Sequence, residues 1–227
     1  KIRKDLEVSN LLQSSWRGNS DTETFLMAIE SYGLIKALNI SSGMFAFALW
    51  DKAEKELHLV RDRFGEKPLY WGFISSKKNT LTFSSEISSI WSLPEVNKSI
   101  DNDALSNYFK YGYIPAPYCI QSEINQLEPG HILTLKENND GYFDPSKYQS
   151  ESWWDSSSIS YINSLSNYKN TQSELSLMSL LEEALTNSIK DRTNSDVPLG
   201  TFLSGGIDSS LITTLLQINS KEPINTF

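Results

Sequence analysis

GMFAFALWDKAEKELHLVRDRFGEKPLYWGFISSKKNTLTFSSE, residues 43–86, decides the fold of the larger part of this chain. Short apolar and aromatic runs alternate there with charged turn segments, Asp51–Lys55 and residues 75–79. That alternation predicts an antiparallel meander with strands near 44–50, 56–61, 68–74 and 80–84. Upstream, SDTETFLMAIESYG (20–33) sets Ser20 three residues before Glu23, a capping-box spacing, then Phe25, Leu26 and Ile29 on one helical face and Gly33 as a stop. Downstream, SSEISSIWSL and DNDALSNYFKYG read as helices, the second capped by Asp101 or Asn102 and stopped at Gly112, and LEPGHILTL (127–135) adds a strand after a Pro-Gly turn. Strands in one run and helices in others predict an α+β layered domain over residues 1–148.

Bulk composition bounds what such a chain does. Its 227 residues are 39% hydrophobic and carry a formal charge of −8, with no Lys/Arg-rich run. Nucleic acid is therefore not an expected partner. No apolar run approaches the roughly 18–20 residues of a membrane span, and KIRKDLEVSN lacks the apolar core of a signal peptide. A soluble, cytoplasmic protein with no membrane partner is expected. One cysteine, Cys119, excludes an internal disulfide framework, and with two distant histidines it makes no zinc spacing. The missing initial Met and the apolar close PINTF (223–227) read as an internal fragment.

Residues 149–172, rich in Ser, Asn and Tyr, read as a linker on which Trp153 and Trp154 dock against a domain surface. From Ser173 the pattern changes. Leu175, Met178, Leu181, Leu185 and Ile189 recur at helical spacing, DVPLGTFLS (196–204) follows as a buried strand, SSLITTLLQIN as a helix and PINTF as a further strand. Strand, helix, strand opens a parallel α/β sheet over 173–227. FLSGGIDSSLI (202–212) then lies where the first strand ends and a helix begins, the place at which backbone N–H groups converge on an anion. Gly205 and Gly206 leave no Cβ between backbone and phosphate, Asp208 is a hard oxygen ligand suited to Mg²⁺, and Ser204, Ser209 and Ser210 offer hydroxyl donors. No Gly-Lys-Ser/Thr or G-x-G-x-x-G follows, so this is neither a Walker A nor a dinucleotide loop. A tight turn with Asp208 as the N-cap of the next helix is the plainer alternative.

LSGGIDSS resembles the S-G-G-x-D-S loop of the PP-loop ATP pyrophosphatases, and SDVPLGTFLSGGIDSS as a whole resembles the asparagine synthetase branch. GNSDTE, GMFAFALWD, RDRFGEKPLY, FSSEI and YGYIPAP with LEPGH resemble, in order, signatures of the class II, N-terminal-nucleophile glutamine amidotransferase domain of glutamine-hydrolysing asparagine synthetases. The resemblance implies a partial N-terminal-nucleophile layered sandwich followed by the start of a PP-loop ATP-binding domain. It implies an ATP- and Mg²⁺-dependent ligase that activates aspartate as an acyl-adenylate and displaces AMP with ammonia from glutamine, giving asparagine, glutamate, AMP and pyrophosphate.

Carried over residue by residue, the resemblance places Asp21 on the α-amino group of glutamine, with helix capping as its local role. It places Leu203, Ser204, Gly205, Gly206, Asp208, Ser209 and Ser210 on ATP and pyrophosphate, with Leu203 bordering the adenosine and Asp208 on the metal. In this family a cysteine at the mature N-terminus hydrolyses glutamine, assisted by its own α-amine. The chain opens beyond that point and beyond the family's oxyanion-hole Asn-Gly pair, so these residues alone are expected to lack glutaminase activity. Cys119, internal and without a nearby histidine, does not replace that nucleophile, and His58 and His131 read as structural. Arg61, Asp62 and Glu86 read as organisers of the fold rather than catalysts. Two other readings stay open: a related amidotransferase acting on another carboxylate, such as a surface-polysaccharide sugar acid or a closing β-lactam, and a catalytically dead nucleotide-binding scaffold. The expected partners are small molecules, and a homodimer is compatible with all of this.

Overall fold

The computed structural model describes residues 1–9, 15–74, 80–94, 96–155, 173–193 and 197–227. The chain divides into two compact units, Lys1–Asp155 and Ser156–Phe227. In the first, strands β1 (Ala46–Asp51), β2 (Glu56–Arg61), β3 (Tyr70–Ile74) and β4 (Thr80–Ser84) form where the alternation predicts them. The single meander does not. β1 and β2 pair with each other, and β3 pairs with β4, but β2 and β3 belong to different sheets. β5 (Ile124–Gln126), β6 (His131–Glu137) and β7 (Phe143–Ser152) complete the two antiparallel sheets, in orders β1-β2-β6-β7 and β4-β3-β5.

The split follows from which faces are apolar. Successive side chains of a strand point to opposite faces. Leu57 and Leu59 of β2, with Leu133 and Leu135 opposite them on β6, share one buried cluster with Trp71 of β3, Leu69 and Leu127. That cluster fills the space between the sheets. On the outer face of the first sheet, Val60 and Ile132 meet Leu38 of α3 (Leu34–Ile40), Phe25 of α2 (Asp21–Tyr32) and Trp153. On the outer face of the second, Ile74 and Ile124 meet Ile90 of α4 (Ile87–Trp91), Val96 and Cys119. Helix, sheet, sheet and helix are thus stacked in the layered α+β arrangement that the sequence predicts. α1 (Ile2–Val8) packs on α2 through Leu6, and α5 (Asn102–Tyr111) starts at Asp101, whose carboxylate accepts from Ala104 N, and stops at Gly112.

RDRFGEKPLY carries the chain from one sheet to the other. The buried Asp62 carboxylate accepts from four backbone N–H groups, Phe45 (3.3 Å), Phe64 (3.1 Å), Glu66 (2.9 Å) and Lys67 (2.9 Å). The Arg61 guanidinium donates to the carbonyls of Lys67 (3.0 Å), Gly65 (2.8 Å) and Leu127. Burial pushes the Arg61 pKa down, and the Asp62 charge beside it pushes it back up. Gly65 turns this loop at φ +65°, where a Cβ would stand 2.9 Å from the Arg61 guanidinium. Arg63 donates to the carbonyls of Leu38, Asn39 and Ser41 at the end of α3 and lies over the Trp153 ring. Both residues predicted to organise this segment, Arg61 and Asp62, therefore do so.

Two further expectations change. β7 continues to Ser152, with Gln149, Ser150, Glu151 and Ser152 opposite Thr134, Leu133, Ile132 and His131, so the stretch read as linker from 149 is strand at its start. Trp153 is buried and donates from Nε1 to Arg61 O. The rest of that stretch, from 156 to 172, lies outside the described residues. In the second unit, α6 (Glu174–Arg192) and α7 (Ile207–Asn219) pack through Ile189, Leu215 and Leu216, and β8 (Gly200–Thr201) pairs in parallel with β9 (Asn225–Thr226). The parallel pair is as expected, but the buried strand is not: only two residues pair as β8, and Phe202 is 86% exposed. Of the α6 apolar face, Leu185 and Ile189 are packed while Leu175, Met178 and Leu181 stand exposed, because α7 and Ile224 reach only its C-terminal half. No helix among the described residues is long and apolar enough to cross a membrane.

Replacing Asp62 by Asn leaves one acceptor oxygen and turns an amide NH₂ toward buried donors. Asp62→Asn should lower the unfolding free energy by roughly 2–4 kcal/mol, read from urea denaturation of the full-length gene product. A loss under about 0.5 kcal/mol, the range of an ordinary surface change, would contradict the organising role of Asp62.

Candidate functional site

The Ser-Gly-Gly loop lies between β8 and α7, at the carboxyl end of the parallel pair. Leu203 N donates to Phe227 O (2.9 Å) and Phe227 N to Thr201 O (3.0 Å), which extends the pairing to the edge of the loop. Thr201 Oγ1 and Thr213 Oγ1 (3.1 Å) tie the strand to the helix. Gly205 then takes φ +81°, and a Cβ there would meet nothing within 4 Å, so the space in front of the loop is open. A Cβ on Gly206, by contrast, would stand 3.6 Å from Ser204 Oγ and 3.9 Å from Ser209 Oγ. Those two hydroxyls bond each other (3.1 Å), and Ser209 Oγ also donates to Gly206 O (3.2 Å). The turn is thereby closed on itself.

Gly206 is the N-cap of α7, and no side chain caps the helix, so first-turn N–H groups are left to an outside acceptor. Asp208 lies in that first turn and is exposed, which sets aside its plainer role as the cap. Ser210 N donates to Gly206 O within the helix, and Leu203 is 41% exposed at the strand end. The residues predicted to meet a phosphate thus lie together on one contiguous loop that is open at Gly205. Among the described residues no cluster of three or more His, Cys, Asp or Glu could hold a metal. Asp208 offers a single exposed carboxylate, a donor type suited to a hard cation such as Mg²⁺ but too few ligands for a resident metal centre.

The other predicted residue, Asp21, belongs to the first unit and opens α2. Ser20 is the cap, its Oγ accepting from Thr22 N (3.1 Å). Asp21 Oδ1 accepts from the same N–H (2.7 Å) and from Thr22 Oγ1 (3.4 Å), whereas Oδ2 has no partner among the described residues. The capping box read from Ser20 and Glu23 is only half there. Glu23 does not return to the cap but reaches past it, Oε1 accepting from Arg17 N (2.7 Å) and Oε2 from Gly18 N (3.0 Å). The bond from Arg17 N first, then that from Gly18 N and the nearby arginine charges, hold the Glu23 carboxyl below the ordinary glutamate range. Arg3 of α1 closes the cluster, with Nε on Thr24 Oγ1 (2.8 Å) and Nη2 on Ser20 O (3.3 Å) and Glu23 Oε2 (3.4 Å). Arg3 was not among the residues singled out by sequence. Its only signal there is a place on a helical turn some twenty residues from its partners.

The remaining nucleophile and bases are structural. Cys119 is buried, burial pushing its thiol pKa up, against the outer face of the second sheet. His58 Nδ1 meets Thr134 Oγ1 across the strands (2.9 Å), and His131 Nδ1 meets Pro129 O (2.9 Å). Glu86 is the N-cap residue of α4, its Oε2 accepting from Ser88 Oγ (3.1 Å).

A family model described as "Glutamine amidotransferase domain" matches residues 1–149, and one described as "Asparagine synthase" matches residues 180–227. Asparagine synthetase [glutamine-hydrolyzing] 1 of Bacillus subtilis is 31% identical over 218 residues, covering 96% of this chain and 30% of its own length. A putative asparagine synthetase [glutamine-hydrolyzing] 2 of Methanocaldococcus jannaschii is 31% identical over 232 residues, covering 100% of this chain and 41% of its own. The chain therefore spans well under half the length of these relatives. Among solved structures, glutamine phosphoribosylpyrophosphate amidotransferase from B. subtilis, complexed with ADP and GMP, aligns over 100% of this chain and 42% of its own at 16% identity and a TM-score of 0.42.

The lowered Glu23 pKa gives a sign that can be checked. A depressed carboxylate keeps its folded-state hydrogen bonds as pH falls through the ordinary glutamate value and releases them only below it. The amide ¹H shifts of Arg17 and Gly18 should accordingly titrate together with a midpoint under that ordinary value, and Glu23→Gln should abolish the titration. A midpoint at or above the ordinary value would contradict the geometry.

Proposed function

Since the chain belongs to the glutamine amidotransferase domain family, we propose that it carries parts of both halves of a glutamine-dependent asparagine synthetase: a unit that binds glutamine and a unit that grips ATP while aspartate is activated. The observation that carries this reading is the open Ser204–Ser210 cradle behind a parallel strand pair, in the same chain as the amidotransferase match.

In the first unit, Asp21 presents its unpartnered Oδ2 to the α-amino group of glutamine. Cys119, buried and without a base, takes no part in releasing ammonia. In the second, a carboxylate oxygen of aspartate attacks the α-phosphorus of substrate ATP. The bond from that phosphorus to the bridging β-phosphate oxygen breaks, and pyrophosphate leaves with the electron pair. Charge builds on the leaving group, and the uncapped first-turn N–H groups of α7 are donors already held in place to receive it, while the Ser204 and Ser209 hydroxyls turn from each other and from Gly206 O, and Ser210 from solvent, to add theirs. Leu203 borders the adenosine. Asp208 would hold Mg²⁺ there, and the ion would supply further neutralising charge. Ammonia from glutamine then adds to the acyl carbon, AMP departs, and a proton is lost to give asparagine. The substrates are all small molecules, and the product named here, asparagine, is the one that the relatives' names carry.

Asp208→Asn in the full-length gene product should cut aspartate-dependent ATP–pyrophosphate exchange by about 10²–10³-fold, the scale of losing one preorganised electrostatic partner. Glutamine hydrolysis should stay near its wild-type rate. Undiminished exchange would remove Asp208 from the site, and exchange that ignores aspartate but answers to another carboxylate would replace the acceptor.

A further inference from the structure

We infer that Arg3 and Glu23 are positioning residues for glutamine recognition, fixing the approach to α2 so that the free oxygen of Asp21 faces the substrate's α-amino group. The inference rests on the proposed role of Asp21. Every residue from Trp16 to Ser20 is held by a side chain from α1 or by Glu23. The Trp16 ring lies under the Arg3 guanidinium (4.3 Å) and its Nε1 donates to Glu7 Oε1 (2.8 Å). Arg17 N and Gly18 N donate to the two oxygens of Glu23 (2.7 and 3.0 Å). Asn19 Oδ1 accepts from Arg3 Nη1 (3.4 Å), and Ser20 O accepts from both Arg3 Nη2 (3.3 Å) and Thr24 Oγ1 (3.0 Å). Asp21 is the next residue.

Holding α1 on the fold does not require this cluster. Leu6 is fully buried against Met27, Ala28 and Ala37, which docks the helix through apolar contact alone. What the polar contacts add is a fixed path for residues 17–20, which are otherwise exposed. One guanidinium bonds both the residue before Asp21 and the residue three after it, Ser20 and Thr24. One carboxylate binds two successive N–H groups that a glutamine side chain, with one acceptor oxygen, cannot hold together. A displaced carboxylate at a binding subsite loses its partner steeply with distance, so the effect of breaking the cluster should be read on the group Asp21 contacts and not on the rest of the substrate.

The test compares L-glutamine with glutaramate, the same amide lacking the α-amino group, as glutaminase substrates of the full-length gene product. Glu23→Gln and Arg3→Met should each lower kcat/KM for glutamine by about tenfold, chiefly through KM, while leaving kcat/KM for glutaramate within about twofold. Arg3→Lys, which keeps charge but cannot reach all four acceptors, should fall between. Glu23→Asp serves if a variant fails to fold, since its shorter arm keeps the charge and cannot span both N–H groups. Asp21→Asn is the reference. If it collapses the preference for glutamine and the Arg3 and Glu23 variants do not, or if those variants lose both substrates equally, the positioning role is overturned and the reading of Asp21 stands. If Asp21→Asn leaves the preference intact, the reading of Asp21 falls and the positioning role with it.

Discussion

A single carboxylate at the end of β2 sets the layout of the first unit. Asp62 is only 1% exposed, and its two oxygens gather N–H groups from the residue before β1 and from the loop that follows β2. An unpaired buried charge is strongly unfavourable, and four backbone donors are what make this one tolerable. Arg61 beside it collects three carbonyls, including that of Leu127 just after β5, so the pair fixes the crossing between the two sheets from both sides. Arg63 extends the same junction to the helix layer by meeting the carbonyls that end α3. Three consecutive residues thereby join helix, first sheet and second sheet, and the apolar cluster of Leu57, Leu59, Trp71, Leu133 and Leu135 fills the gap they define.

Local order in this unit was legible because its signals are local. The strands at 46–51, 56–61, 70–74 and 80–84 follow from alternation, and α5 follows from Asp101 and Gly112 at its two ends. Pairing was not legible, because alternation shows that a strand has a buried face and not which strand lies beside it. The sequence of β2, loop and β3 suits a hairpin as well as a crossing between sheets, and what decides is the side chemistry of Arg61 and Asp62. Residues 149–152 escaped notice because Gln, Ser and Glu at the edge of a sheet carry no apolar signal, while their partners on β6 do. In the second unit the helical spacing of Leu175, Met178 and Leu181 was read correctly as an apolar face, but spacing cannot say what covers it.

The candidate sites divide the same way. The Ser-Gly-Gly loop is contiguous in sequence, so its glycines, hydroxyls and carboxylate could be singled out together before any fold was known. Glu23 could be found but not understood: three residues after Ser20 it reads as half of a capping box, and only the fold places Arg17 N and Gly18 N nearer to it than the cap. Arg3 had no local signal at all, since its partners at Asn19, Ser20, Glu23 and Thr24 are brought to it by the packing of α1 on α2. Recognition that depends on one helix bracing another is invisible to any window of residues.

The most direct test of coupling between the two units follows one nitrogen atom. The full-length gene product is supplied with glutamine labelled with ¹⁵N in its side-chain amide, together with aspartate, ATP and Mg²⁺. ¹⁵N is expected in the side-chain amide of asparagine, with one AMP and one pyrophosphate formed for each labelled product. Label recovered only as free ammonia, or incorporation accompanied by ADP and phosphate in place of AMP and pyrophosphate, would contradict it.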